Sequence, residues 1–139
     1  MTTVVKWAGA GMAFDATASS GHAVRMDAAP EVGGENTGPR PMEMLLMGLG
    51  GCTGIDVVMM LQKMEQKIQD VQIEIESERA AEIPKVYTKI HVHFKVIGTD
   101  LNPQKVERAV NLSAEKYCSV SKMLEKTAQM THDFEIIEA

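Results

Sequence analysis

Aromatic side chains are scarce in this chain, at 4% of residues. A core built on stacked rings is thereby excluded, and the interior has to be aliphatic. The 11 methionines supply a soft, unbranched filler for such a core. Clustered lysine and arginine are also missing, and the net charge is −5. No nucleic-acid partner is expected, because phosphate neutralisation needs a basic surface. Only two cysteines occur, too few for a disulfide-stapled scaffold. The segment Met1–Trp7 lacks the apolar stretch and small-residue cleavage site of a secretory signal. A cytoplasmic protein is expected, with both thiols in a reducing compartment. Internal repeats and low-complexity runs are absent as well.

One long apolar stretch is present, from Met44 to Leu61. Its length would suit a membrane span, but Gly48, Gly50, Gly51, Gly54 and the ionisable Asp56 interrupt it. It reads instead as the buried central helix of a soluble protein, with no membrane partner. The helix is predicted to begin near Pro41, a residue suited to a first helical position, and to run to about Gln66. Ahead of it, three short strand-like pieces, about 2–8, 12–17 and 22–27, are separated by Gly9-Ala10-Gly11 and Ser19-Ser20-Gly21. The loop Ala29–Pro41 is too rich in proline and glycine for regular structure. After the helix, Val71–Ser77 and Ile90–Val96 alternate apolar and polar residues as half-buried strands do. Asn102-Pro103 reads as the cap and first residue of a helix reaching about Lys116. A further helix over Ser119–Gln129 and a last strand over Asp133–Ile137 complete the order βββ-α-ββ-αα-β. At 139 residues this is a single α+β domain, residues 1–139.

Cys52 lies inside the long helix among four glycines, each costing roughly 1 kcal/mol relative to alanine. Either another element packs closely there, or the small neighbours leave a substrate access to the sulfur. Cys118 sits between two helices, where a helix N-terminus and nearby Lys116 and Lys122 would favour a thiolate. No CxxC motif joins the two cysteines. Taken alone, each is more readily read as a small core residue than as a redox thiol.

The run Pro41-Met42-Glu43-Met44-Leu45-Leu46-Met47-Gly48-Leu49-Gly50-Gly51-Cys52-Thr53-Gly54-Ile55-Asp56 resembles the central-helix signature of the OsmC/Ohr family. Tyr117-Cys118-Ser119-Val120-Ser121 resembles that family's second-cysteine site. The element order matches too, and the likeness is greatest to the OsmC-like branch with a GGC motif. The resemblance implies an intertwined homodimer with active sites at the interface, and a peroxidase needing no cofactor. It further implies that Cys52 attacks a hydroperoxide as thiolate and becomes a sulfenic acid. Cys118 would then close a Cys52–Cys118 disulfide, and an external dithiol reductant would reopen it.

Peroxidases of the family hold an arginine by the thiolate and a glutamate on that arginine, as developing negative charge requires. Arg25 resembles the arginine that precedes the loop, and Arg40, at the helix entrance, is its rival. The family's acid falls where this chain has Met42, so Glu43 is the nearest substitute. Nine steps of about 100° put Glu43 and Cys52 on opposite faces of a straight helix. Glu43 is equally readable as a helix N-terminal charge. Asp56 shares a helical face with Cys52 and reads as structural. His91 and His93 share a strand face, but no adjacent acid completes a metal-ligand set. His22 and His132 are isolated.

The resulting expectation is a thiol-dependent peroxidase acting in oxidative or osmotic stress defence. An apolar pocket among Met44, Leu45, Met47 and Leu49 would favour a small organic hydroperoxide as substrate. The alternative is a protein of the same fold that binds a small apolar ligand with little turnover.

Overall fold

A computed structural model describes residues 1–139. Gly9 (φ 95°) and Gly21 (φ 88°) take left-handed conformations in the turns of a small antiparallel sheet. Its strands are β1 (Val4–Trp7), β2 (Phe14–Thr17) and β3 (Ala23–Met26), in the order β1-β2-β3. Together with the following loop and the first turns of the long helix they form one unit, Met1–Met47. The second unit is Gly48–Ala139. Their boundary falls inside a continuous helix, α1 (Pro41–Lys63), with no linker to mark it.

The proline- and glycine-rich loop has little regular structure beyond one 3₁₀ turn at Pro30–Val32, yet it is closely organised. Asp27 is only 2% exposed. Its carboxylate accepts hydrogen bonds from the backbone N–H groups of Ala28, Glu35 and Thr37 and from the Thr37 hydroxyl. The Thr37 hydroxyl contributes most to holding the Asp27 pKa down to about 2. Gly34 packs so tightly on the Ala28 carbonyl that a Cβ could not be accommodated.

In the second unit, β4 (Lys67–Arg79), β5 (Tyr87–Thr99) and β6 (Gln129–Glu138) form a sheet in the order β4-β5-β6. β4 and β5 are antiparallel, whereas β5 and β6 are parallel. A parallel pair cannot be joined by a tight turn, so the helical stretch between them serves as the crossover. That stretch is α2 (Pro103–Leu112), a π turn (Ser113–Tyr117) and α3 (Ser119–Leu124). Asn102 caps α2, its side chain accepting from the N–H groups of Gln104 and Lys105. Val106, Ala109 and Val110 turn inward at helical spacing. The central strand supplies Ile90, Val92, Phe94 and Val96 to the same core.

The element order matches the sequence expectation. The largest differences in extent are in β4 and β5, each 13 residues long against the seven that strand alternation marked, while α2 stops at Leu112, where the π turn interrupts it, and α3 ends at Leu124. By length and composition α1 could cross a membrane, and it is apolar on most sides. Its fully buried residues form one stripe at four-residue spacing, Leu49, Thr53, Val57 and Leu61. Leu45, Met47, Ile55 and Met59 are exposed within the single chain.

Because the Asp27 pKa is depressed from 3.8, the carboxylate's stabilising contribution is complete above that value and lost as pH falls towards 2. Asp27→Asn is expected to lower the thermal midpoint at pH 7 and to show a weaker acid transition between pH 4 and pH 2. Parallel melting curves of variant and wild type across that range would refute the assignment.

Candidate active site

Cys52 and Cys118, far apart in sequence, are both free thiols and touch each other in the second unit. Their environments differ. Cys52 is partly exposed, whereas Cys118 is fully buried. Burial pushes the Cys118 thiol up to about 11, against the opposing hydrogen bond from the Ser121 N–H, and the contact with Cys52 adds to the rise. A second negative charge beside the first would be strongly disfavoured.

This reverses the sequence expectation that Cys118 favours a thiolate. Neither expected cation reaches its sulfur. The Lys116 ammonium stacks over the Tyr117 ring, and Lys122 pairs with Glu125 and donates to the Glu115 carbonyl. Dehydration outweighs the backbone N–H groups of Ser121, at 3.4 Å, and Val120.

A buried polar relay fixes the two sulfur-bearing segments. The Thr53 and Ser113 hydroxyl oxygens are 2.6 Å apart, and the Ser113 hydroxyl donates to Asp56 Oδ2 at 2.9 Å. A carboxylate only accepts, so the proton order runs from Thr53 to Ser113 to Asp56. The Ser113 carbonyl in turn accepts the Cys118 N–H at 2.9 Å, across the π turn. Asp56 therefore takes the structural role. Thr53 and Asp56 lie one helical turn apart, a spacing that could have marked them as a pair, though the sequence reading set Asp56 only against Cys52. Ser113 had no such marker, because a π turn leaves no periodic signal.

The glycines around Cys52 divide between the two expected roles. Gly50 and Gly54 face Ile75 and Ile73 on β4, where an added Cβ would come within 3.3 Å and 3.6 Å. Gly48 and Gly51 face open space.

The charged candidates lie in the first unit. Arg25 forms a two-pronged pair with Asp15, directly opposite it on β2, at 2.9 and 3.0 Å. Arg25 thus finds its carboxylate in Asp15 rather than in Glu43, a partner that only strand register reveals. The Arg40 guanidinium donates to the Asn36 side chain and the Gly38 carbonyl. Glu43 Oε1 accepts the Arg40 backbone N–H at 2.7 Å, capping the start of α1. Of the four residues expected to line an apolar pocket, Leu49 is buried, while Leu45 and Met47 are exposed in the single chain.

The histidines require a further correction, because acids do stand beside them. Parallel pairing sets β6 against β5, and Asp133 Oδ1 accepts from His91 Nε2 and His93 Nδ1, each at 2.8 Å. His93 Nε2 donates to Glu135 at 2.7 Å. These carboxylates occupy three of the four ring nitrogens and the Thr131 hydroxyl the fourth, His91 Nδ1, and no group of three or more His, Cys, Asp or Glu side chains is placed to hold a metal ion. Asp133 and then Glu135 raise the His93 pKa above 6.5.

Fold and site together describe an α+β protein carrying two contacting, unequally buried thiols on its long helix and its crossover. The chain belongs to the OsmC family, whose "OsmC-like protein" model matches residues 34–133. It is 46% identical to Protein YhfA of Escherichia coli strain K12 over the full length of both chains. A solved hypothetical protein from Aquifex aeolicus VF5 is 28% identical, with a TM-score of 0.85 over 99% of this chain and 96% of that one. The organic hydroperoxide resistance protein OhrB of Bacillus subtilis shares the fold at 20% identity, with a TM-score of 0.63 over 96% of each chain.

Two outcomes follow. Ser113→Ala leaves the Thr53 hydroxyl and Asp56 without their buried partner, so urea unfolding is expected to show a loss of about 1–3 kcal/mol. A change below about 0.5 kcal/mol, the range of ordinary surface substitutions, would remove the relay's importance. Separately, the His93 imidazole resonances are expected to titrate above 6.5. Protonated His93 stabilises the fold fully below 6.5, and that contribution fades as pH rises through the raised value. A midpoint at or below 6.5 would contradict the geometry.

Proposed function

We propose that the protein is a thiol-dependent peroxidase reducing organic hydroperoxides in oxidative or osmotic stress defence. The carrying observation is the contact between a partly exposed Cys52 and a fully buried, protonated Cys118. Membership of the OsmC family supports this reading, as does the fold shared with a protein named for organic hydroperoxide resistance.

In the proposed cycle the Cys52 thiolate attacks the peroxide oxygen distal to the alkyl group. The O–O bond breaks, the alkoxide leaves as an alcohol after taking a proton, and Cys52 becomes a sulfenic acid. Cys118 then attacks that sulfur, and its proton departs with the sulfenic oxygen as water, leaving the Cys52–Cys118 disulfide. An external dithiol reduces the bridge and is itself oxidised. Arg25 or Arg40 would stabilise the developing charge, while Glu43 serves as the cap of α1. The active form is a homodimer. Supporting this, Val4, Val5, Trp7 and Phe14 on the small sheet and Ile55 on α1 are apolar and 39–68% exposed in one chain. Dependence on an external dithiol fits the reducing interior of the cytoplasm.

The test is thiol-dependent consumption of cumene hydroperoxide and hydrogen peroxide by wild type, Cys52→Ser and Cys118→Ser. Turnover should favour the organic peroxide and vanish in Cys52→Ser. Cys118→Ser should retain the first oxidation and form no intramolecular disulfide. In Cys52→Ser the remaining thiol, still raised by burial, should resist alkylation at pH 7 and react only under alkaline conditions. A wild type no faster than Cys52→Ser would eliminate the enzyme and leave a binding protein of the same fold.

A further inference from the structure

A pocket of about 550 Å³ opens between the C-terminal half of α1 and the segment spanning α2 and the π turn. Met59, Met60 and Met64 supply most of its apolar wall, with Leu112 opposite. Methionine is unbranched and polarisable, so such a wall adapts to flexible chains instead of selecting one rigid shape. The volume falls within the range of ordinary small-molecule sites.

Lys63 and Arg108 stand on the same pocket. Arg25 is paired with Asp15, Arg40 with Asn36, and Arg79 with the Lys85 carbonyl and the Tyr87 ring. Arg108 is the one arginine with no hydrogen bond or ion pair, and Lys63 is likewise unengaged. The acid on the lining, Asp56, is already bonded to Ser113 at 2.9 Å. Two unpartnered cations therefore stand beside an apolar hollow. Neither cysteine lines it.

We propose that this pocket binds an aliphatic carboxylate, its chain among the methionines and its head group on Arg108 and Lys63. The guanidinium fork matches a carboxylate bidentately, and the lysine adds a second charge-assisted contact. This site is separate from the thiol chemistry and does not depend on it.

The experiment is calorimetric titration of the full-length protein with sodium dodecanoate, kept below its micelle-forming concentration. Dodecanol and the variants Arg108→Glu, Lys63→Glu and Cys52→Ser complete the set. Saturable binding is expected. Each charge reversal should weaken it by about tenfold or more, as loss of a hydrogen bond to a charged group does. Dodecanol should bind correspondingly less tightly, and Cys52→Ser should bind dodecanoate like wild type while losing any peroxide turnover. Absence of saturable binding overturns the proposal, as does equal binding by Arg108→Glu or by dodecanol. Loss of binding in Cys52→Ser would move the ligand to the thiol site and overturn it too. Failure of the peroxidase reading would leave all these outcomes unchanged.

Discussion

Placement of the two thiols depends on the hydroxyl of Ser113. Buried between Thr53 and Asp56, it accepts from one and donates to the other, fastening the crossover to α1. The carbonyl of the same residue holds the Cys118 N–H. One residue thus sets both ends of the geometry, since Thr53 follows Cys52 directly on α1. A regular α-helix would bond the Cys118 N–H to Ala114. The extra residue in the π turn shifts that bond to Ser113 and leaves Cys118 in an extended conformation (φ −72°, ψ 107°). In a dry setting such a relay is stable only when every member is satisfied, and here every buried side-chain polar atom has a partner.

A second constraint comes from the apolar surface. α1 is hydrophobic on most sides, yet within one chain only the Leu49–Thr53–Val57–Leu61 stripe is fully buried. The three-stranded sheet of the first unit likewise leaves Val4, Val5 and Trp7 half exposed. A single helix face needs only one apolar stripe, and a short sheet needs one covered side. The sequence invests more hydrophobic surface than one copy uses, and outside the methionine-lined pocket a second copy is the occupant that we propose for it. The charges of Arg25 and Arg40 lie in the unit that carries the exposed sheet.

Much of this was legible in the chain, and the remainder was hidden for identifiable reasons. Strand alternation in Val71–Ser77 and Ile90–Val96, the Asn102-Pro103 cap and the turn glycines all express local rules, and the elements they imply are present. Non-local pairing was opaque. The parallel register of β6 on β5 brings Asp133 to His93, and the register of β2 on β3 brings Asp15 to Arg25. No local pattern encodes either. The loop before α1 looked structureless because its order comes from one carboxylate, Asp27, collecting backbone N–H groups up to ten residues away. Cys118 was misjudged for a related reason. Helix-end charge and nearby lysines can be read from sequence, whereas complete burial cannot.

That burial determines what the thiol pair can do. Two equally exposed thiols would compete for an oxidant and yield either sulfenic acid. Here the deeper sulfur keeps its proton to about pH 11, and only the thiolate is strongly nucleophilic. In the proposed cycle first oxidation would therefore fall on Cys52, beside open space at Gly51. In that cycle the retained proton would leave with the sulfenic oxygen as water. The two sulfurs are already in contact. Dehydration thus makes Cys118 a poor first nucleophile, and its place in the proposed second step rests on position, which the Ser113 relay holds.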